Sequence, residues 1–120
     1  ACSRAIARPK PPERRDEMRL IVLLKLKPGA DRAAYEEWVR TADIPGVRRL
    51  GSVAGYSVHK ATGLLGTSDP APYDYVEVLD VADPDGFAAD VASPEVQALA
   101  AGLSSFAEAT FITTEAVEPA

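Results

Sequence analysis

The run Arg19-Leu20-Ile21-Val22-Leu23-Leu24-Lys25-Leu26 narrows the choice of fold more than any other stretch of this chain. It is apolar at nearly every position, so it predicts a strand covered on both faces. Lys25 interrupts it near the end, where a long side chain reaches back to water. A chain of 120 residues, 47% apolar, has the length for one domain with a modest core. The strand at its centre then needs a layer on each side.

A second stretch, Pro72-Tyr73-Asp74-Tyr75-Val76-Glu77-Val78-Leu79-Asp80, also predicts a strand, with aromatic and β-branched residues at period two. One face carries Tyr73, Tyr75, Glu77 and Leu79, and the other Asp74, Val76, Val78 and Asp80. Glu77 is out of place in a sealed core, because an unpaired buried carboxylate is costly. It faces either solvent or a cavity that has a use for it.

The remaining elements follow in order. Lys27-Pro28-Gly29-Ala30 is a turn and Asp31 a helix N-cap. The helix is expected to run to about Thr41 with Ala34, Tyr35, Trp38, Val39 and Ala42 on its apolar face, closed by Asp43-Ile44-Pro45-Gly46. Leu50 to Lys60 is the next strand, with Ala54, Tyr56 and Val58 on one face and Val53, Gly55, Ser57 and His59 on the other. Its glycines suggest a bulge or a close backbone approach. Residues 61–71 form a long loop whose Leu64 and Leu65 cap the core or meet a partner. Asp83-Pro84 and Ser93-Pro94 are two helix starts, so the second helical region is broken between them. Ala109 to Val117 is the last strand. The order β-α-β-β-α-β predicts an α+β, ferredoxin-like fold with an antiparallel sheet and its helices on one face. A second copy of the same sheet is the simplest cover for the other face, which predicts a symmetric homodimer, a dimeric α/β barrel.

Residues 1–17 differ from the rest. They hold five of the thirteen basic residues and three of the eighteen acidic ones, with three prolines. They are expected to be a disordered leader preceding a domain of residues 18–120. A net charge of −5 argues against nucleic acid, which demands clustered Lys and Arg. One Cys and one His leave no spacing for a Cys/His metal site and no internal disulfide. No apolar run is long enough to span a membrane, and a cytoplasmic location is expected. Neither a phosphate-binding glycine loop nor a dinucleotide fingerprint is present: Gly63-Leu64-Leu65-Gly66 lacks the Lys-Ser/Thr that would follow.

The element order, with Met18-Arg19-Leu20-Ile21-Val22, Tyr35-Glu36-Glu37-Trp38-Val39-Arg40, Pro45-Gly46-Val47 and Pro72 to Val78, resembles the dimeric α/β-barrel superfamily. Within it the chain is most similar to the REDY-like (HapK) proteins of prodiginine and bisindole pigment biosynthesis, over about Met18 to Glu118. The resemblance implies a secondary-metabolism protein acting on a small aromatic intermediate with no cofactor. Related members include cofactor-independent monooxygenases, polyketide cyclases and lactone isomerases. It carries over no catalytic residues, so the candidates rest on side-chain chemistry alone.

Glu77 is the first candidate, a carboxyl whose burial would suit it to general acid or base work; alternatively it is exposed, or paired with Lys25 or His59. His59, the single histidine, is the second. Tyr75, Tyr73 and Trp38 offer flat surfaces, and the tyrosines a hydroxyl, for binding an aromatic substrate; each is also ordinary core material. The expected activity is cofactor-free cyclisation, condensation or isomerisation, the alternatives being a non-catalytic binder of an unstable intermediate and a cofactor-independent monooxygenase.

Overall fold

The computed structural model describes residues 18–118; the expected leader lies outside them. Four strands, β1 (Met18–Leu26), β2 (Val53–Lys60), β3 (Tyr75–Val81) and β4 (Ala107–Thr114), form one sheet in the order β2-β3-β1-β4. Every pairing is antiparallel. The apolar β1 is thus central, as its composition demands. Between β1 and β2 lie α1 (Arg32–Trp38), a π-helical turn (Val39–Asp43) and α2 (Ile44–Arg48); between β3 and β4 lie α3 (Pro84–Val91) and α4 (Pro94–Phe106). This is the expected ferredoxin-like α+β fold.

Local chemistry accounts for the element ends. In the turn after β1 the Ala30 amide donates to the Lys27 carbonyl at 3.0 Å, and Gly29 takes a φ of 82°, which glycine adopts without a Cβ penalty. The Asp31 carboxylate caps α1 by accepting from the amides of Ala33 and Ala34. Asp83 and Ser93 cap α3 and α4 in the same way, each ahead of a proline in the first turn.

Two expectations are corrected. The first helix does not close at Asp43-Ile44-Pro45-Gly46 but runs on to Arg48. The Ile44 amide bonds to the Val39 carbonyl, five residues back. This wide turn leaves Pro45 in the first turn of a new α segment, where a missing N–H and a fixed φ are tolerated. The second correction concerns β2, which starts at Val53 with a bulge between Val53 and Gly55. The extra residue reverses the alternation, so Val53 (opposite Val81) shares a face with Tyr56 (opposite Leu79).

The core lies between the helices and one sheet face. Leu20, Val22 and Leu24 of β1, Tyr75, Leu79 and Val81 of β3 and Tyr56 of β2 meet Tyr35 and Val39, with Phe87, Leu103 and Phe106 packed against them. The Trp38 indole fits against Gly102 of α4, where an added Cβ would lie 2.7 Å from the ring. Leu64 and Leu65 stay exposed at the loop tip and cap nothing.

Candidate functional site

The helix and the sheet leave between them a cleft of about 370 Å³. Tyr35, Val39 and Ile44 line it from the helical side, Val58 and Tyr75 from the strands, and Glu36, Arg40 and Lys60 at its mouth. Strand pairing explains the sheet side: Lys60 lies opposite Tyr75 and Val58 opposite Glu77, all on the helix-facing side. Glu77 therefore stands beside the cleft lining, at 4% exposure.

Glu77 is neither exposed nor paired with Lys25 or His59. Its Oε2 has no hydrogen-bond partner among the described residues, and the hydroxyl of Tyr35 is likewise unpartnered. Burial, helped by the charge of Asp43 and opposed by the nearby Tyr56 hydroxyl, pushes the Glu77 carboxyl up to about 8, so it is mostly protonated at neutral pH. Asp43, from the end of the π turn, is also buried and raised by burial; opposing this, the Tyr56 hydroxyl donates to its Oδ2 at 2.6 Å. The two tyrosines are raised as well, chiefly by burial. Four polar side chains from distant parts of the chain thus converge in an otherwise apolar core.

The π turn is what brings Asp43 in. At about 100° per residue an unbroken α-helix would carry it roughly 80° past the direction of Tyr35. The wider turn advances less per residue and keeps Tyr35, Val39 and Asp43 on the buried side. A periodicity search built on 3.6 residues per turn puts Ala42 there instead.

The mouth of the cleft is a polar network. The Tyr75 hydroxyl donates to Glu36 Oε2 at 2.5 Å and accepts from Arg32 at 3.0 Å. Lys60 lies 3.0 Å from the same Glu36 oxygen, and Arg40 3.4 Å from the other. The Tyr75 bond, then Lys60, hold the Glu36 carboxyl below its usual range. Arg32 also sits over the Tyr75 ring, 5.3 Å from its centroid.

Of the five residues chosen from the sequence, the structure brings Tyr75 and Glu77 to the cleft. Trp38 lies on the sheet-facing helix but packs against Tyr35 and Phe106, outside the lining. Tyr73 precedes β3 and is exposed. His59 is on the opposite face of the sheet, exposed, its Nε2 2.9 Å from the Ser57 hydroxyl. Sequence reasoning missed Tyr35, Asp43 and Tyr56 as site residues. Among the described residues no group of three or more His, Cys, Asp or Glu gathers where it would hold a metal.

A family model described as REDY-like protein HapK matches residues 18–117. The chain belongs to the REDY-like HapK family. The crystal structure of HapK from Hahella chejuensis is 30% identical to this family member, with 86% of this chain and 95% of that one covered and a TM-score of 0.70. Two further structures share the fold at low identity. A cofactor-independent oxygenase from Streptomyces nogalater is 15% identical over 87% of this chain and 96% of its own, with a TM-score of 0.66. A dabb family protein with a ferredoxin-like fold from Mesorhizobium loti is 12% identical over 85% and 98%, with a TM-score of 0.64. No curated protein matches the chain.

Proposed function

We propose that this HapK-family protein binds a planar pyrrole- or indole-type biosynthetic intermediate in the cleft. It assists cyclisation, condensation or isomerisation by proton transfer through Glu77, without a cofactor. The observation that carries the reading is a buried carboxyl, unpartnered at Oε2 among the described residues, beside a cleft lined by Tyr35 and Tyr75. A carboxyl kept protonated at neutral pH has the driving force to give a proton to a substrate oxygen or carbon. The tyrosine rings orient a flat substrate, and the mouth residues Glu36, Arg40 and Lys60 meet its polar substituents. His59, on the other sheet face, has no part in this step.

The test uses a panel of pyrroles, indoles and their aldehydes and carboxylates. Binding is followed by the fluorescence of Trp38, the single tryptophan, which packs on Tyr35. Turnover is then measured on the compounds that bind. Glu77→Gln is expected to lower kcat by about 10²–10⁴-fold with ligand affinity largely kept, and His59→Ala to leave kcat unchanged. Binding without turnover in the wild type would make the protein a carrier of its ligand. Stoichiometric oxygen uptake would assign it instead to cofactor-independent monooxygenase chemistry; the Streptomyces nogalater protein that shares its fold is a cofactor-independent oxygenase.

We also propose that the protein works as a cytoplasmic homodimer. Ile21, Leu23, Val76 and Val78 lie on the sheet face away from the helices, half-buried, with Ile112 exposed beside them. An apolar central face of this kind suits a second sheet.

A further inference from the structure

Two carboxyl groups, Asp43 and Glu77, are buried to about 95% beside the phenol of Tyr56, with that of Tyr35 also near them. Neither takes part in an ion pair with a described residue. The ionisable groups facing Glu77 are Tyr35 and Asp43 from the helix, Tyr56 from β2 and, two residues along its own strand, Tyr75. β1 contributes Val22 opposite it, and α3 and α4 send Phe87, Leu103 and Phe106 into this core. The cations these elements carry are engaged elsewhere: Arg40 and Lys60 pair with Glu36 at the mouth, and Arg48 donates to the Tyr56 carbonyl. Two like charges in one dry site do not both ionise readily, so the pair retains a proton.

The Tyr56 hydroxyl decides which carboxyl has it. A phenol has one proton to donate, and that proton is aimed at Asp43 Oδ2, 2.6 Å away. Asp43 gains a donor that favours its ionised form. That proton is then not available to Glu77, and a buried carboxyl without a donor is better off as the neutral acid. We propose that Asp43 is a positioning residue: by holding the Tyr56 proton it leaves Glu77 as the protonated member of the pair, so that the site begins its reaction as a proton donor.

This inference rests on the reading of Glu77 as the proton-transfer group. In the donor step the Glu77 O–H bond breaks, a bond to hydrogen forms on the substrate, and the electron pair stays on the carboxylate. The new charge beside Asp43 is unfavourable, which favours recovery of a proton from a second substrate position. The net proton count is then unchanged, as a cyclisation or isomerisation requires.

The experiment is a carboxyl-detected ¹³C NMR titration of the full chain, without any ligand. In the wild type the Glu77 carboxyl carbon is expected to titrate in the weakly alkaline range and Asp43 well below it. Asp43→Asn removes the repelling charge and loosens the hold on the Tyr56 proton, so the Glu77 midpoint should fall by about one pH unit or more. Tyr56→Phe keeps the ring, removes the proton that singles out Asp43, and should raise the Asp43 midpoint towards that of Glu77. A purely structural Asp43 would cost stability and leave the Glu77 midpoint in place. An unchanged Glu77 midpoint in Asp43→Asn together with an unchanged Asp43 midpoint in Tyr56→Phe, or no change in whichever variant folds, overturns the proposal. The two readings fail separately. An inactive Glu77→Gln with an unresponsive midpoint sinks only the Asp43 role, whereas a responsive midpoint with a fully active Glu77→Gln sinks only the function.

Discussion

At Glu77 the cost of burying a charge is avoided by keeping the proton. Its folded-state titration near 8 lies above the ordinary value of 4.5, so between these values the native state holds a proton that the unfolded chain has released. Stability is therefore highest below the ordinary value and falls as pH rises towards about 8. Asp43, also raised, acts with the same sign. Urea unfolding at a series of pH values should show this decline, of the order of a few kcal/mol, across weakly acidic to weakly alkaline pH. Glu77→Gln, which does not titrate, should flatten it. A wild-type curve as flat as that of the variant would mean that Glu77 is ionised in the folded protein at neutral pH.

At the scale of elements, the helix layer is set by two close approaches of different stiffness. A Cβ at Gly102 would lie 2.7 Å from the Trp38 ring, while one at Gly46 would lie 2.8 Å from a terminal methyl of Leu99. Alanine gains about 1 kcal/mol over glycine as a helix former at either position. A leucine methyl swings away at little cost, so Gly46→Ala should be close to neutral in thermal unfolding. The indole is held between Tyr35 and Phe106 and has nowhere to go. Gly102→Ala should therefore destabilise by about 1–3 kcal/mol, and Trp38→Leu in the same chain should recover part of the loss. Equal melting temperatures for the two alanine variants would show that Trp38 is free to move.

For the whole molecule, the element order leaves one sheet face without helices, and the proposed homodimer covers it. Sedimentation equilibrium should then give twice the chain mass of 12.7 kDa. Val78→Asp, placed at the middle of that face, should give the monomer, since a buried carboxylate opposite an apolar partner surface is strongly disfavoured. A wild-type monomer at micromolar concentration would leave Val76, Val78 and Ile21 as an ordinary half-exposed sheet surface.

The strands and their faces were legible in the chain because they depend on neighbours one and two residues away. Alternation placed Tyr75, Glu77 and Leu79 together, and the Asp-Pro and Ser-Pro pairs placed the helix starts. The nearly continuous apolar character of β1 placed it at the centre of the sheet. Local reasoning stopped where one extra residue changed the phase: the bulge near Ala54 turned Val53 over, and the π turn carried the helix past Pro45 and Asp43 into the core. Nothing within a few residues of Asp43 signals that Tyr56 will donate to it, or that Glu77 will share its pocket. That meeting of 43, 56 and 77 was decided by tertiary structure alone, because burial and hydrogen bonding act between groups that the folded chain, not its order, brings into contact.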